Sequence, residues 1–402
     1  MKQLLKTFIF AAVTIFFAFT LIKFPNDALE ASIRGIDMWW EVVFPSLLPF
    51  FITAELLLSF GVVKFLGVVF EPIMRPLFNV PGVGSFAWIM GMVSGYPTGA
   101  KISVRLREQN QVTQVEAERL VAFTNASSPL FIFGAISIGF FHDPKLGVLL
   151  AICHYLGNAI TGICMRFYGR KKDKPYQMNN GKFSIKRAFL AMHETRVNDK
   201  RPIGEILGDA VLNSIKTLVM VGGFIILFSV LNKMLFLIGL TPFIATIFQS
   251  VFHLIYLPIE LALPFISGLF EITLGANLIS KENIDPFLAS VIVVSFILGF
   301  NGFSIQAQVA SIISKSNIQF YPYFLARILH GIIASLLTII LYKPLYLDRK
   351  NINIEDMPVS NPATENNWIN ILLTLEQIGP LITILSFGIA FIILYRRQKK
   401  YK

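Results

Sequence analysis

Apolar runs of about 20 residues alternate with shorter polar segments along most of this chain. That is the length an α-helix needs to cross the hydrocarbon core of a bilayer. The pattern therefore predicts an all-α polytopic membrane protein with about eight transmembrane helices. The predicted spans lie near residues 7–24, 39–61, 118–141, 146–168, 214–238, 286–310, 323–342 and 379–395.

Two other apolar stretches, at about 83–108 and 259–281, are interrupted near the middle by a Gly-Ala pair. Glycine has no Cβ and tolerates backbone angles at which a helix can break. Pro97, just before the first pair, cannot donate a main-chain hydrogen bond. We therefore expect two re-entrant hairpins, each of which enters the membrane and turns back near its Gly-Ala pair.

The chain is similar to itself when it is shifted by 176 residues. The shift superposes small and polar residues within strongly apolar sequence, where unpaired peptide groups and amides need a polar cavity. Broken helices at matched depths in two inverted copies are the plan of many secondary transporters. The alternative is a chance likeness between glycine-rich membrane helices. The matched pairs are Gly99 and Gly275, Ala100 and Ala276, Asn125 and Asn301, Ser128 and Ser304, and His154 and His330.

Positive charge sets the predicted orientation. The segment 166–201 carries eleven Lys and Arg residues against three acidic residues, so it is expected on the cytoplasmic side. The first copy then starts outside and ends inside, and the second runs in the opposite direction. The predicted organisation is an N-terminal span and loop (1–35), a first repeat (36–168), a basic cytoplasmic loop (169–205), a second, inverted repeat (206–342), and an outer loop with a C-terminal anchor (343–402).

Composition excludes several classes of protein. With 54% hydrophobic residues, 15% charged residues and a mean hydropathy of +0.65, the chain does not fit a soluble globule. The net charge of +11 is concentrated beside apolar spans, so no nucleic-acid partner is expected. Neither a phosphate-binding Gly-rich loop nor a His-Glu-x-x-His motif is present, and we expect neither an enzyme nor a resident metal.

Candidate substrate contacts lie at the first hairpin tip and around the two Asn-x-x-Ser motifs. The outgoing half-helix would present free N–H groups and a partial positive charge to an anion, and Lys101 would strengthen that attraction. The alternatives are a cytoplasmic loop with Lys101 in water and, for the Asn and Ser residues, hydrogen bonds between helices. The candidates are Ser94, Thr98, Gly99, Lys101, Asn125, Ser127, Ser128, Asn277, Asn301, Ser304, Gln306 and Gln308.

Two carboxylates are candidates for ion coupling. Glu271 has apolar neighbours, and buried ionisable groups in membranes commonly serve ion or proton pathways. Glu55, inside a predicted span, is the weaker candidate. Snorkelling of Glu271 to the outer interface is the alternative.

The remaining polar residues in the predicted spans are a histidine pair and an arginine. His154 and His330 occupy the same place in the last span of each copy, and packing with one hydrogen bond is favoured over proton transfer or metal binding. Arg327, one turn before His330, would either meet an anionic solute or face the cytoplasm.

Four segments, 91–101, 116–135, 44–52 and 299–308, closely resemble the YlbJ (SpoVV) family of sporulation membrane proteins, which belongs to the group with the nucleoside-transporter-like Gate domain. The most specific motif is Gly-Tyr-Pro-Thr-Gly-Ala-Lys at 95–101, and the likeness covers roughly residues 36–342. Fold alone does not name the solute, because the Gate relatives include nucleoside and ferrous-iron transporters.

The resemblance implies a secondary transporter that moves dipicolinate from the mother cell across the outer forespore membrane of an endospore former. The alternatives are a nucleoside or divalent-metal transporter of the Gate group and a spore-envelope scaffold that transports nothing. The expected partners are a small anionic solute and the lipid bilayer, and the sequence also allows a homo-oligomer. No cofactor is expected beyond a coupling Na⁺ or H⁺.

Overall fold

The structure is a computed structural model that describes residues 2–170, 185–314 and 316–348. These residues form α-helices and no β-strand, so the predicted all-α fold class is confirmed. Short π-helical segments occur at Met38–Val43, Leu130–Phe140 and Lys343–Leu347. The α-helices are α1 (Lys2–Lys23), α2 (Pro25–Asp37), α3 (Phe44–Ser59), α4 (Val62–Phe78), α5 (Gly84–Ser94), α6 (Thr98–Glu108), α7 (Gln114–Thr124), α8 (Pro144–Met165), α9 (Ile185–Asn198), α10 (Ile203–Leu237), α11 (Leu240–Leu254), α12 (Ala262–Phe270), α13 (Ile272–Lys281), α14 (Phe287–Phe300), α15 (Gly302–Ile313) and α16 (Phe320–Tyr342).

Four helical stretches in the described residues have the length and composition to cross a membrane: Pro144–Met165, Ile203–Leu237, Phe287–Ile313 and Phe320–Leu347. The total rises to six if α1 with α2 and α3 with α4 each count as one span, bent by 102° and 82°. The predicted spans near 7–24 and 39–61 are therefore arms of bent pairs. The predicted span 379–395 lies outside the described residues.

Two of the apolar runs are broken at the asparagines singled out by the repeat. α7 ends at Thr124, the chain is extended at Asn125, and helical structure resumes only after Pro129. α14 ends at Phe300, and Asn301 has a φ of 74°, a left-handed conformation that asparagine tolerates better than most residues. The expected helix breaks are therefore present at both positions.

The two apolar stretches with Gly-Ala pairs form helical hairpins. α5 packs against α6, and α12 packs against α13. Each turn lies a few residues before its Gly-Ala pair: the first is at Gly95–Pro97 and the second is at Glu271. Both Gly-Ala pairs lie inside the second helix of their hairpin.

Close packing explains why the two glycines are there. A Cβ on Gly99 would overlap the main-chain carbonyl of Thr124, and a Cβ on Gly275 would overlap the backbone of Gly268 in the other arm of its hairpin. Gly91 is also pressed against the Thr124 carbonyl and lies beside Gly99. These glycines therefore let backbones touch, and the turns are made by other residues.

Side chains at the start of α7 fix its position against α4. Thr113 and Glu116 form a capping box, in which each side chain accepts a hydrogen bond from the other residue's N–H, at 3.3 and 2.8 Å. Arg75 of α4 donates to both Glu116 and Glu71, at 2.5 and 3.1 Å. α7 in turn packs against α6, α8 and α16. The end of α7 at Asn125 is thus held at the centre of the helices that carry the candidate site.

Several helices were not predicted from the pattern. α9 lies within the basic segment that was expected to be a loop, and α2 and α11 lie between predicted spans. α11 has 15 residues and is too short to be recognised as a crossing. Amphipathic or short helices leave a weak signal when the pattern is searched for spans.

Candidate functional site

The two helix breaks contact each other. The Asn301 amide nitrogen donates to the main-chain carbonyl of Asn125 at 3.1 Å, and the Asn125 amide nitrogen donates to the Tyr323 hydroxyl at 3.0 Å. All three residues are buried, and the side-chain oxygens of both asparagines have no hydrogen-bond partner among the described residues. Buried amide oxygens are costly to leave unpaired. The breaks therefore present two acceptors that a solute or an ion can use.

We call the buried and half-buried residues around these breaks the polar centre. They come from the first hairpin tip, from both broken helices, and from α8 and α16. Their members are Tyr96, Asn125, Ser127, His154, Asn158, Asn301, Gln306, Tyr323, Arg327 and His330.

The two histidines contact one another across the polar centre. Their ring centroids are 4.7 Å apart, and the His330 Nε2 lies 2.8 Å from the His154 carbonyl oxygen. His330 Nδ1 accepts from Arg327 at 3.0 Å, so Nε2 carries the proton and donates to that carbonyl. His154 Nε2 accepts from the Ser127 N–H at 2.9 Å. This geometry favours a positioning role for both rings.

Arg327 is fully buried on α16 and reaches the broken end of α7. Its Nη1 donates to the Asn125 carbonyl at 3.0 Å, and its Nη2 donates to the Ala122 carbonyl and to the Asn158 side-chain oxygen, the latter at 3.3 Å. The sequence left open whether this residue faces the cytoplasm. The structure places it in the polar centre.

The tip of the first hairpin packs against the residues of the two helix breaks. The Tyr96 hydroxyl contacts the Ser127 hydroxyl and donates to the Leu298 carbonyl at 3.3 Å, so the tip contacts both broken helices. On either side of the tip, the hydroxyls of Ser94 and Thr98 are buried without partners in the described structure. These hydroxyls can donate to an anion or accept from a neutral solute.

The second hairpin is organised differently. Glu271 is the N-cap of α13: its carboxylate accepts from the Leu274 N–H at 2.8 Å and from the Thr273 hydroxyl. Asn277, one turn further along α13, is half-buried. The carboxylate thus already stabilises a helix end, and its coupling role stays a prediction.

Lys101 and Glu55 form an ion pair with each other. Their charged atoms are 3.0 Å apart, and both line a shallow cleft between α3 and α6 that reaches Thr98 and Arg105. The Lys101 ammonium also lies 5.0 Å from the Phe51 ring centroid. Sequence reasoning gave these two residues separate roles as substrate contact and ion-coupling carboxylate. The structure joins them in an ion pair at the cleft, and neither residue is part of the contacts that define the polar centre.

Breaking this pair is expected to destabilise the protein. Glu55→Gln or Lys101→Met leaves one charge at a site where the side chains are only 10% and 20% exposed. The expected loss in unfolding free energy is about 1–3 kcal/mol, between the values for exposed and buried pairs. Thermal unfolding in detergent measures it, and the double variant is expected to lose less than the two single variants together. Additive losses would contradict a direct pairing.

The other candidates differ in burial and contacts. Ser304 and Gln308 are buried on α15, and Gln306 donates to the Phe300 carbonyl at 3.0 Å while its side-chain oxygen has no partner among the described residues. Ser128 is half-buried, and its hydroxyl accepts from the Phe131 N–H at 3.3 Å. Gly99 contributes no side chain to the candidate site, and its role is to let the backbone of α6 pack against Thr124.

Several members of the polar centre were absent from the sequence-based candidates. Tyr323, Arg327 and His330 share one face of α16, since they are four and three residues apart. The sequence analysis considered Arg327 and His330, and a search for polar residues on the same face of this apolar span could also have identified Tyr323. Tyr96 and Asn158 carry no such pattern.

In the described ranges, no group of three or more His, Cys, Asp or Glu side chains is arranged to hold a metal ion. Long apolar helices and a buried polar centre built where two broken helices meet define a polytopic all-α membrane protein.

Comparison with known proteins places this membrane protein in a family. Residues 40–142 and 218–317 match the Gate family model, described as nucleoside recognition. The chain is 49% identical over 403 residues to the sporulation integral membrane protein YlbJ of Bacillus subtilis strain 168, covering 98% of this chain and 97% of that protein. The chain therefore belongs to the YlbJ family of Gate-domain membrane proteins, and the resemblance found in the sequence is confirmed.

Two weaker similarities were also found. An uncharacterized protein of Alkalihalophilus pseudofirmus is 28% identical over 174 residues, which is 42% of this chain and 37% of that protein. A solved structure of CNTnw in an outward-facing state covers 81% of this chain and 87% of its own, at 12% identity and a TM-score of 0.40. A score this low does not establish a shared fold.

Proposed function

We propose that this protein is a secondary transporter of a small organic anion, and that the anion is dipicolinate, moved from the mother cell across the outer forespore membrane during sporulation. Flux would run on a solute gradient or on coupled Na⁺ or H⁺. The name of the B. subtilis relative supports the setting, since that protein is a sporulation integral membrane protein.

The contact between the two helix breaks is the observation that carries this proposal. Asn301 donates to the Asn125 carbonyl at 3.1 Å, and both side-chain oxygens are buried and unpaired in the part of the chain that the structure describes. A protein with a purely structural role in a membrane gains nothing from interrupting two apolar helices at one buried place. A transporter uses such interruptions to bind its solute near the middle of the membrane.

Contacts between equivalent residues support an inverted repeat. Asn125 contacts Asn301, and His154 contacts His330, and each pair is separated by the same 176 residues. A residue that touches its own counterpart lies close to a two-fold axis. The polar centre would then lie on the axis that relates the two copies, which is where transporters with inverted repeats bind their solutes.

The donors at the polar centre and beside the first hairpin tip suit an anion such as dipicolinate, a planar dianion. Arg327 supplies a buried positive charge, and the hydroxyls of Ser94 and Thr98 lack partners among the described residues. Donors that are already held in place lose little conformational entropy when the solute binds. Their preorganisation therefore favours a high affinity. The tip of the first hairpin, at Tyr96, would have to move for a solute to enter, because it contacts both broken helices.

Flux through the purified protein in liposomes tests the proposal. Vesicles loaded with unlabelled dipicolinate are expected to accumulate radiolabelled dipicolinate by exchange, and the exchange is expected to saturate. Protein-free vesicles and vesicles with heat-denatured protein are the controls. Imposed Na⁺ and H⁺ gradients, applied separately, identify the coupling ion. Absence of dipicolinate exchange by folded protein would contradict the proposal.

Nucleoside transport is the second candidate, because the matching family model is described as nucleoside recognition. The unpaired amide oxygens of Asn125 and Asn301 can accept hydrogen bonds from a base or a ribose. Uridine exchange in the same vesicles separates the candidates. Uridine flux without dipicolinate flux would reverse the ranking.

A further inference from the structure

The guanidinium of Arg327 is buried without an acidic partner. The residue is 0% exposed, and in the described ranges no Asp or Glu side chain forms an ion pair with it. Its hydrogen bonds go to the carbonyls of Ala122 and Asn125, to the Asn158 side-chain oxygen and to His330. Every one of these acceptors is formally neutral.

Two other positive charges near the same helices are paired with carboxylates. Arg75 lies between Glu71 and Glu116, and Lys101 lies 3.0 Å from Glu55. An uncompensated buried charge is costly, and removal of one partner from a buried pair is strongly destabilising. Arg327 therefore stands apart from these residues, because it bears the cost of burial without an opposite full charge.

The end of α7 compensates only part of the positive charge. Ala122 and Asn125 contribute carbonyls at the C-terminal end of α7, where the helix dipole places about half a negative charge. The Tyr323 ring, 5.7 Å from the guanidinium carbon, adds a weak attraction. These contacts orient the fork of Arg327 but do not neutralise it.

One donor of Arg327 is also unused. Its Nε has no hydrogen-bond partner among the described residues, although the atom is buried. The other four N–H groups are taken by the contacts named above, so the Nε–H is the donor left to form a charge-assisted hydrogen bond with one oxygen of a carboxylate. The Asn125 carbonyl that Arg327 contacts is the group that also accepts from Asn301, so the guanidinium lies at the meeting point of the two helix breaks.

We propose that Arg327 is the residue that binds a carboxylate of the transported anion. This inference rests on the proposed function, and it adds the residue and the charge complementarity that select an anionic solute. A neutral solute of the same shape would leave the guanidinium uncompensated, so it would bind less tightly.

Equilibrium binding to purified protein in detergent tests the inference separately from flux. The probes are dipicolinate and its uncharged analogue pyridine-2,6-dicarboxamide, which has the same ring and similar shape. Wild type is expected to prefer dipicolinate. Arg327→Gln is expected to lower the dipicolinate affinity about tenfold or more, with little loss for the diamide.

Two further variants control for a structural role. Arg119→Gln is the matched control, because Arg119 is equally buried and also donates to main-chain carbonyls, those of Asn79 and Tyr168. It is expected to lower stability and to keep the wild-type ratio of the two affinities. Arg327→Lys keeps the charge but lacks the Nε–H donor, so it is expected to lower the ratio less than Arg327→Gln does. The Lys variant also serves if the Gln variant does not fold.

Each result bears on a different proposal. An unchanged affinity ratio in folded Arg327→Gln or Arg327→Lys would overturn the inference, and so would an equal change in Arg119→Gln or no dipicolinate binding by wild type. If wild type exchanges dipicolinate and Arg327→Gln keeps the wild-type ratio of the dipicolinate and diamide affinities, the inference about Arg327 fails. The proposed transport is then still supported. If wild type binds dipicolinate through Arg327 but does not exchange it in liposomes, the proposed transport is overturned. The carboxylate-binding role of Arg327 is then still supported.

Discussion

Replacement of Gly99 by alanine is expected to remove most of the folded protein from the membrane. The added methyl group would overlap the Thr124 carbonyl, which belongs to the backbone at the end of α7 and cannot rotate away. Overpacking against a fixed backbone costs about 3 kcal/mol or more. Because Thr124 directly precedes the break at Asn125, the strain would fall on the candidate site. The yield of monodisperse protein in detergent and its unfolding temperature measure the effect.

Gly223→Ala is the matched control for this substitution. Gly223 lies inside α10, and a Cβ there would meet no heavy atom within 4 Å. Alanine is the better helix former by up to about 1 kcal/mol, so this variant is expected to be as stable as wild type or more stable. Equal loss in both variants would contradict the close packing of the first hairpin against α7.

Loss of the two break asparagines is expected to abolish most of the dipicolinate flux while the protein stays folded. Asn125→Ala or Asn301→Ala removes an amide that contacts the opposite break or Tyr323 and an acceptor that has no partner among the described residues. Removal of a hydrogen bond to a charged or buried group lowers binding about tenfold to a hundredfold. Exchange by each variant in liposomes, normalised to folded protein, measures the effect.

Asn232→Ala controls for the loss of a buried asparagine. Asn232 is 2% exposed on α10, and its amide nitrogen is unpaired in the described structure, yet it lies outside the polar centre. Its substitution is expected to leave the flux close to wild type. A spore-envelope scaffold would tolerate all three substitutions. Full exchange by folded Asn125→Ala and Asn301→Ala would argue against solute binding at the breaks.

The interruptions of the fold could be predicted because their causes are local. Pro129, Pro97 and the asparagines disturb helical hydrogen bonding whatever lies around them, so breaks and hairpins follow from the sequence. The role of Gly99 and Gly275 in those hairpins was not predicted, because glycine serves two purposes. It permits unusual angles, and it also permits close approach, and only the structure tells which applies.

The candidate site was predicted in part. Asn125, Asn301 and Ser127 are in the polar centre, as the matched motifs indicated. The partnership of Lys101 with Glu55 could not be predicted, because it joins helices through tertiary packing. The position of Arg327 likewise depends on contact with residues about 200 positions earlier in the chain. Such long-range contacts leave no periodic signal in a single sequence.

Contacts between equivalent residues restrict which side chains can occupy them. In both pairs a side-chain N–H of the second residue donates to the main-chain carbonyl of the first, and Asn and His both carry such a donor without a full charge. A carboxylate or an ammonium facing its own copy would repel it. Under the proposed inverted repeat, a polypeptide of half this length could build the same centre from two identical subunits inserted in opposite orientations, and gene duplication would preserve it in one chain.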